Sequence, residues 1–182
     1  MRIISGIYKG RRLKGSKDLS IRPATDRVKE YIFNILQDFP QGAQVFDIFS
    51  GSGGLGLEAL SRGAQKTVFI EKAYSSIQVL NDNLSAVKVP RDRYKIIQKD
   101  ALAFARSETE KADLCFMDPP YKYPALQELL NVFFTHQQLK KGGILVLEHE
   151  VINPIQEESP YYHLFFQKKI SRSLISFLEY KE

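Results

Sequence analysis

The fold is decided by residues 45–56, which read VFDIFSGSGGLG. The first five form an apolar run around Asp47, which predicts a buried strand. The glycine turn from Gly51 to Gly56 follows with the spacing G-x-G-x-x-G, and helix-forming residues continue to about Arg62. Such glycines let the backbone approach a ligand closely, with helix N–H groups directed at it. We therefore predict that this segment opens an α/β fold with a binding site at its turn.

The alternation of strand and helix patterns continues towards the C-terminus. Further apolar runs predict strands at residues 67–70, 94–98, 114–117 and 144–147. Apolar residues recur at helical spacing at residues 75–84 and 124–138. Two stretches of strand formers, joined by a polar turn near Ser171, predict a closing hairpin at residues 162–166 and 174–180. The pattern indicates an α/β fold with a mostly parallel sheet, helices on both faces and an antiparallel C-terminal edge.

The segment before this core has a different pattern. Short strand pieces are predicted at residues 2–4 and 7–8. Thr25 is a suitable N-cap for a helix, and apolar residues at helical spacing follow it until proline and glycine end the helix near residue 40. We expect one structural domain, in which an extension of residues 1–40 packs on a core of residues 41–182.

The basic charge of the chain is concentrated in this extension. Residues 1–29 hold nine Lys and Arg against two Asp, a net +7, and because the whole chain has +5, the remainder carries −2. Clustered cations release counterions from a polyanion and give affinity that is independent of sequence. We expect the phosphates of a polyanion to contact Arg2, Lys9, Arg11, Arg12, Lys14, Arg22 and Arg27; a solvated basic surface without a partner is the alternative.

The composition, 43% hydrophobic and 26% charged, is that of an ordinary globular protein. Cys115, the one cysteine, lies in an apolar run and is interpreted as a buried structural thiol, and no metal-ligand cluster is predicted. No stretch approaches the roughly 20 apolar residues that span a bilayer, and the N-terminus has no apolar signal region. We therefore expect a cytoplasmic, monomeric protein that does not associate with a membrane.

Acidic residues at strand ends indicate the kind of ligand. Glu71 closes the second predicted strand, about 20 residues after the glycine turn, where a carboxylate can accept both ribose hydroxyls. Asp47 would repel the pyrophosphate of a nicotinamide dinucleotide, the alternative ligand, but attract the sulfonium and ammonium groups of S-adenosylmethionine. Asp100 follows the third strand, where it either accepts a hydrogen bond from the adenine amino group or caps the next helix.

The tetrapeptide Asp118-Pro119-Pro120-Tyr121 follows the fourth predicted strand and so emerges at the same end of the sheet as Glu71. The prolines restrict the backbone and remove two N–H donors, which leaves carbonyl acceptors beside a carboxylate. Such acceptors can hold the N–H bonds of an exocyclic amino group, and Tyr121 offers a ring on which an extruded base stacks. Positioning then provides most of the rate of methyl transfer. We expect no strong general base and interpret the three histidines as surface or structural residues.

The N–H donors that a base presents to Asp118 indicate which base is methylated. Guanine has N1–H and N2–H as adjacent donors, which match both oxygens of an ionised carboxylate, whereas adenine has one donor beside an acceptor. This favours guanine N2. A DNA or RNA adenine-N6 methyltransferase and a non-catalytic RNA-binding assembly factor are the alternatives. The compact chain has no obvious room for a DNA target-recognition segment, and the intact tetrapeptide and glycine turn disfavour the assembly factor.

In these motifs, and in MRIISG at residues 1–6, GRRL at 10–13 and RPATDRVKE at 22–30, the chain resembles the RsmD family of 16S rRNA guanine-N2 methyltransferases. The resemblance implies a Rossmann-like, S-adenosylmethionine-dependent methyltransferase fold with seven strands, acting on the assembled small ribosomal subunit. It implies that Asp118 and Tyr121 hold the guanine and that the loop around Arg22 to Asp26 closes over the cofactor. The residues expected at the cofactor are Asp47, Gly51, Gly53, Glu71, Lys72, Asp100, Ala101, Thr25 and Asp26.

Overall fold

A seven-stranded sheet forms the centre of the computed structural model, which describes residues 1–15, 26–107, 110–120, 123–152, 154–156 and 159–181. Its strands are β1 (Gln44–Ile48), β2 (Lys66–Glu71), β3 (Tyr94–Gln98), β4 (Ala112–Met117), β5 (Leu139–Glu150), β6 (Tyr162–Ile170) and β7 (Ser173–Tyr180). The helices are α1 (Asp26–Leu36), α2 (Gly54–Ser61), α3 (Tyr74–Val87), α4 (Ala101–Ala105) and α5 (Leu126–Thr135), with a 3-10 turn at Arg91–Arg93. The strands and longer helices predicted from residue 45 onward are confirmed.

The strands lie in the order β3-β2-β1-β4-β5-β7-β6. Strands β1 to β5 are parallel, whereas β7 runs antiparallel to both of its neighbours, β5 and β6. The predicted parallel sheet with an antiparallel C-terminal hairpin is therefore confirmed. The strand order reverses between β1 and β4, and open α/β sheets bind ligands at such a point, outside the carboxyl ends of the strands. We call the side of the sheet where β1 to β5 end the carboxyl edge.

Helices cover both faces of the sheet. On one face α4 and α5 pack over Phe46, with Phe104 and Phe133 fully buried. On the other face α1 packs through Ile32 over β1, β4, β5 and β7, while α2 and α3 pack around Phe69 of β2. A fully buried aromatic side chain contributes about 1.5–3 kcal/mol relative to an exposed one, so these two layers hold the sheet firmly. Of the helices in the described ranges, none combines the length and apolarity needed to cross a bilayer.

The first 15 residues lie against α2 and α3 as irregular chain. The strand predicted at residues 2–4 is reduced to one antiparallel bridge, between Arg2 and Arg12. The strand predicted at residues 7–8 is wrong, because these residues form a turn. The Ile7 N–H donates to the Ser61 carbonyl oxygen (2.8 Å) and the Tyr8 N–H to Ser61 Oγ (3.0 Å), so a helix end takes the donors that a strand partner would have used.

The helix predicted after Thr25 is present as α1, which begins at Asp26 and ends at Leu36. Thr25 itself lies outside the described residues. α1 leads into the start of β1, so it begins near the carboxyl edge and ends near the opposite edge. The division into an extension of residues 1–40 and a core of residues 41–182 stays a prediction.

Candidate active site

The glycine turn is tied to the end of β2. The Gly51 N–H donates to Glu71 Oε2 (2.9 Å), and the N–H groups of the two residues after Glu71 donate to its Oε1 (2.8 Å each). Gly53 has a left-handed φ of +83°, and its N–H closes the turn onto the Ser50 carbonyl oxygen (2.7 Å). Charge-assisted bonds from three N–H groups hold the Glu71 carboxylate in place. Glu71 therefore fixes the turn after β1 relative to the turn after β2.

Asp47 lies beneath the same turn. Its Oδ2 accepts a hydrogen bond from the Gly56 N–H (2.8 Å), and a Cβ on Gly56 would come within 2.4 Å of Phe69 and 2.8 Å of that oxygen. Glycine thus lets α2 approach the sheet closely. Burial raises the pKa of Asp47 to about 8, an effect that the Gly56 bond opposes and the Glu71 charge increases. A cation bound near the turn would favour the ionised form of Asp47.

Asp100 follows β3 and caps α4. Its Oδ1 accepts hydrogen bonds from the N–H groups of Leu102 (3.0 Å) and Ala103 (3.3 Å), and its Oδ2 lies 3.4 Å from Lys72 Nζ. Burial acts to raise the pKa of Asp100, but these N–H groups and Lys72 together lower it below its usual value. The capping role is therefore present in the structure. Contacts of Asp100, Ala101 and the exposed Lys72 with a cofactor stay predictions.

The polar groups around the turn suit a cationic ligand that carries a ribose. Ser50 Oγ is buried and has no hydrogen-bond partner among the residues the structure describes. A buried hydroxyl without a partner costs free energy unless a ligand or a water bonds to it. Together with Asp47 and Glu71 it forms a set of two carboxyl groups and one hydroxyl, which attracts sulfonium and ammonium groups and repels a pyrophosphate. These residues fit S-adenosylmethionine.

The predicted reaction motif follows β4, the neighbour of β1. Asp118 and Pro119 are half-buried and Pro120 is exposed, whereas Tyr121 lies outside the described residues. Within the described part of the chain, no group donates a hydrogen bond to Asp118. Burial first, and then the charges of Glu148 and Asp47, raise the pKa of Asp118 well above the usual carboxyl range. N–H donors from a substrate would stabilise the ionised carboxylate.

Glu148 is a second carboxyl group beside Asp118 that is not among the site residues predicted from the sequence. The register of β4 and β5 pairs Met117 with Leu147, so Asp118 and Glu148 are the next residues on neighbouring strands. Burial raises the pKa of Glu148, although a side-chain hydrogen bond with Ser173 opposes this. A signal existed: Glu148 directly follows a predicted apolar strand, as Glu71 and Asp118 do, so the same rule would have found it.

Comparisons with known proteins agree with this geometry. The family model described as Conserved hypothetical protein 95 matches residues 1–179. Ribosomal RNA small subunit methyltransferase D of Escherichia coli is 36% identical over 84% of this chain and 76% of its own length. The chain belongs to the RsmD family of methyltransferases.

Two further relatives support the RsmD assignment. YlbH of Bacillus subtilis is 41% identical over 82% of this chain and 83% of its own length. The solved structure of yhhF from Escherichia coli is 31% identical, covers 100% of this chain and 98% of its own, and superposes with a TM-score of 0.89. The family resemblance and the methyltransferase fold predicted from the sequence are therefore confirmed.

In this RsmD family member Asn83 joins the glycine turn to the N-terminal segment. Its Nδ2 donates to the carbonyl oxygens of Ser52 (2.9 Å) and Lys14 (3.0 Å), and its Oδ1 accepts the Lys14 N–H (2.8 Å). Asn83 is buried, and its bond to Ser52 is shielded from water, whereas the two bonds to Lys14 are partly buried. The sequence gives no signal for it, because Asn81 and Asp82 beside it are equally polar and only the packing of α3 distinguishes the three.

Glu58 and Lys29 bind the backbone of the N-terminal segment, residues 1–15. Neither is among the site residues predicted from the sequence. Glu58, buried in α2, accepts the N–H groups of Ile4 (2.8 Å) and Ser5 (3.0 Å). The Lys29 ammonium is fully buried, donates to the Arg2 carbonyl oxygen and lies 3.9 Å from Glu58. Burial lowers the pKa of Lys29, and the Glu58 charge opposes that shift. Asp26 also lies 3.7 Å from Lys29 and Arg62 also pairs with Glu58 (2.9 Å), so the two buried charges belong to a larger network.

The predicted RNA-binding residues differ in how they are held. Arg2 pairs with Asp26 (3.3 Å) and Lys14 with Asp82 (2.8 Å), both in exposed ion pairs of small energy. Asp26, expected at the cofactor, thus contacts Arg2 in this structure. The other basic residues of the set that the structure describes are exposed, namely Lys9, Arg11, Arg12 and Arg27. Arg22 lies outside the described residues, and all of these RNA contacts stay predictions.

The histidines and the cysteine have the surface or structural positions expected of them. His136 and His163 are exposed, and His149 is buried with its Nε2 2.8 Å from Ser176 Oγ. Cys115 is fully buried in β4. Across the described ranges, no group of three or more His, Cys, Asp or Glu side chains is placed to hold a metal ion.

Proposed function

We propose that the protein transfers the methyl group of S-adenosylmethionine to the exocyclic N2 amino group of a guanine in small-subunit (16S) ribosomal RNA, within the assembled particle. One observation carries this proposal. Asp118, Pro119 and Pro120 follow β4 directly beside the glycine turn after β1, at the point where the strand order reverses. The relatives named ribosomal RNA small subunit methyltransferase D support the choice of substrate.

The cofactor site is assigned to the ends of β1, β2 and β3. S-adenosylmethionine supplies an electrophilic methyl group on a positively charged sulfur. Glu71 accepts the ribose hydroxyls, Asp47 attracts the cationic end, and Asp100 accepts from the adenine amino group with the oxygen that does not cap α4. The unpartnered Ser50 hydroxyl supports a polar ligand at this place. The remaining residues of the proposed cofactor site are Gly51, Gly53, Lys72, Ala101, Thr25 and Asp26.

The acceptor site is assigned to the tetrapeptide after β4. Ionised Asp118 accepts the N1–H and N2–H of guanine, and Pro119 and Pro120 keep the neighbouring carbonyl oxygens in a fixed position. Tyr121 stacks on the extruded base. The amino nitrogen loses its proton only after it has become positively charged, so no strong general base is required and orientation supplies most of the rate.

Adenine N6 is a second candidate acceptor because the pKa of Asp118 is raised. A protonated Asp118 presents one donor and one acceptor, which match the adenine edge rather than the guanine edge. Guanine is nevertheless preferred, because its two adjacent N–H donors themselves stabilise the ionised carboxylate.

We further propose that the protein acts as a cytoplasmic monomer on 16S rRNA and that its N-terminal cations bind phosphates.

The identity of the methylated nucleoside distinguishes the guanine-N2 methyltransferase from its alternatives. Nucleosides of 16S rRNA from cells with and without this protein are compared by mass mapping. We expect the loss of one N2-methylguanosine. Loss of an N6-methyladenosine would select the second candidate, and an unchanged set of nucleosides would refute both.

A further inference from the structure

The tip of the C-terminal hairpin lies at the carboxyl edge. Glu150, the last residue of β5, pairs with Ser173, the first residue of β7. The Val151 N–H then donates to the Arg172 carbonyl oxygen (3.2 Å). Because β5 ends at the carboxyl edge, the turn between β6 and β7 is at that edge too. The hairpin tip and Asp118 are therefore on the same side of the molecule.

This tip carries three exposed cations, Lys168, Lys169 and Arg172, which we call the hairpin cations. Lys168 and Lys169 pair in register with residues 175 and 174, two steps and one step from the last pair before the turn. None of the three forms an ion pair with a carboxylate of the described residues, in contrast to Arg2 and Lys14. Three exposed positive charges around one hairpin tip, none in an ion pair with a described carboxylate, produce a local field that attracts a polyanion.

The start of α1 extends this positive surface. The rings of Tyr31 and Phe166 are in contact, with centroids 6.3 Å apart. Arg27 is one turn closer to the start of α1 than Tyr31, and Lys168 is two residues closer to the hairpin tip than Phe166. The start of α1 and the hairpin tip both lie at the carboxyl edge, so Arg27 and Lys168 are both near that edge. Both cations are exposed. Arg27 and the hairpin cations therefore border the same side of the reaction motif.

The strand order of the sheet shows on which side of the reaction motif these cations lie. The proposed cofactor residues are at the ends of β1, β2 and β3, on one side of β4. The strands β5, β7 and β6 lie on the other side of β4, so a polymer that delivers a base to Asp118 has its open approach over the hairpin. We propose that the hairpin cations form a second RNA-binding surface, which holds phosphates of the strand that carries the target base.

This inference rests on the proposed function and goes beyond it. The charge of the sequence places the basic surface in residues 1–29 and gives −2 to the rest. Folding separates the charges of that remainder, because the hairpin tip is basic while carboxyl groups such as Glu71 and Asp47 are buried at the opposite end of the carboxyl edge. The chain thus presents cations on both sides of its reaction motif.

The test compares two variants that each lose three positive charges. In the tip variant the hairpin cations are replaced as Lys168→Gln, Lys169→Gln and Arg172→Gln. In the control variant three exposed lysines near the opposite edge are replaced as Lys88→Gln, Lys95→Gln and Lys181→Gln. Fluorescence anisotropy measures the binding of a labelled RNA stem-loop over salt concentrations of about 50 to 200 mM. Circular dichroism and S-adenosylmethionine titration show whether both variants remain folded.

The tip variant is expected to bind the stem-loop about tenfold or more weakly than the control. Its plot of log affinity against log salt is expected to be shallower by about 2, since each lost phosphate contact removes about 0.7 from the slope for single strands. Equal affinity and slope in the two variants would overturn the proposal. So would loss of binding to small ribosomal subunits with unchanged stem-loop binding, which would indicate a protein contact.

A test that refutes RNA binding by the hairpin cations can be told apart from one that refutes guanine methylation. RNA binding is measured without methyl transfer, so the difference between the two variants is readable even if wild-type protein methylates no guanine. Conversely, methylation of guanine by a tip variant with wild-type RNA affinity would uphold the proposed function and overturn the second surface.

Discussion

The two halves of the carboxyl edge differ in how their carboxyl groups are satisfied. In the cofactor half, formed by the ends of β1, β2 and β3, backbone N–H groups bond to Asp47, Glu71 and Asp100. In the acceptor half, formed by the ends of β4 and β5, Asp118 and Glu148 lie together and the pKa of each is raised. The cofactor half is thus preorganised by the fold, whereas Asp118 in the acceptor half accepts no hydrogen bond from the residues that the structure describes.

This difference suits the chemistry proposed for each half. A cofactor site gains affinity when its groups are fixed before binding, because little ordering is then needed. An acceptor carboxyl group that lacks donors until the base arrives forms its strongest hydrogen bonds with the substrate alone, so its interactions favour the reacting arrangement. The two halves are therefore expected to respond differently to substitution.

The largest expected effect comes from the acceptor half. Asp118→Asn turns one acceptor oxygen into a donor that opposes the guanine N–H groups. We expect methyl transfer at saturating cofactor to fall by about 10²–10³-fold or more, with the Kd for S-adenosylmethionine changed less than about threefold. Asp38→Asn, an exposed carboxyl group far from the edge, serves as the control. Normal turnover in Asp118→Asn would remove the mechanism.

The opposite pattern is expected in the cofactor half. Glu71→Ala leaves three N–H groups without their acceptor and removes the ribose contact proposed for this carboxylate. We expect the Kd for S-adenosylmethionine to rise by about 10- to 100-fold, because a charged hydrogen bond contributes about 1.5–3 kcal/mol. Isothermal titration measures this Kd, and turnover at saturating cofactor should stay within a few-fold of wild type. An unchanged Kd would mean that the carboxylate only fixes the turn.

A smaller effect tests the pairing of carboxyl groups in the acceptor half. Ionised Asp118 is required, so kcat/KM falls as the pH drops below its raised pKa. Glu148→Gln removes a like charge and lowers the pKa of Asp118, which should move the acidic limb of the pH–rate profile to lower pH. Asp47 is the same in both proteins, so its effect on Asp118 is common to them. Glu179→Gln, at the other end of the hairpin, should leave the limb in place; a limb that Glu148→Gln does not move would contradict the pairing.

The smallest expected effect is the release of a proton from Asp47, in the cofactor half, when the cofactor binds. The pKa of Asp47 is about 8, so most of this group is protonated at neutral pH. A bound cation lowers that pKa, so S-adenosylmethionine binding should release up to one proton and strengthen as the pH rises towards about 8. Calorimetry in buffers of different ionisation enthalpy counts the proton, and Asp47→Asn should abolish the release. A binding heat that is independent of buffer would show that Asp47 does not face the cation.

The sequence predicts the cofactor half better than the acceptor half for a physical reason. A strand, a glycine turn and Glu71 at a fixed spacing are local signals that reflect backbone geometry. Glu148 follows the strand predicted at residues 144–147, but its closeness to Asp118 follows from the register of β5 on β4, which local patterns do not contain. The hairpin cations are hidden in the same way, because net charge is summed along the chain and ignores where folding places each residue.

The buried polar residues under the N-terminal segment show the same limit. Asn83, Glu58 and Lys29 read as ordinary polar positions of amphipathic helices, yet each is buried and bonded to backbone of residues 1–15. Irregular chain has unsatisfied N–H and C=O groups, and it packs on helices only where side chains can satisfy them. Helical periodicity predicts α1, α2 and α3 but cannot indicate which of their polar residues bind this irregular chain.

The central claim, that an ionised Asp118 receives a guanine amino group beside a preorganised cofactor site, is tested most directly by labelled methyl transfer. Purified protein is incubated with small ribosomal subunits and S-adenosylmethionine that carries an isotopic label on the methyl group, and the nucleosides are analysed by mass spectrometry. The wild type is expected to yield labelled N2-methylguanosine, and Asp118→Asn none while it still binds the cofactor. Label on adenine, or label on guanine from Asp118→Asn, would contradict the account.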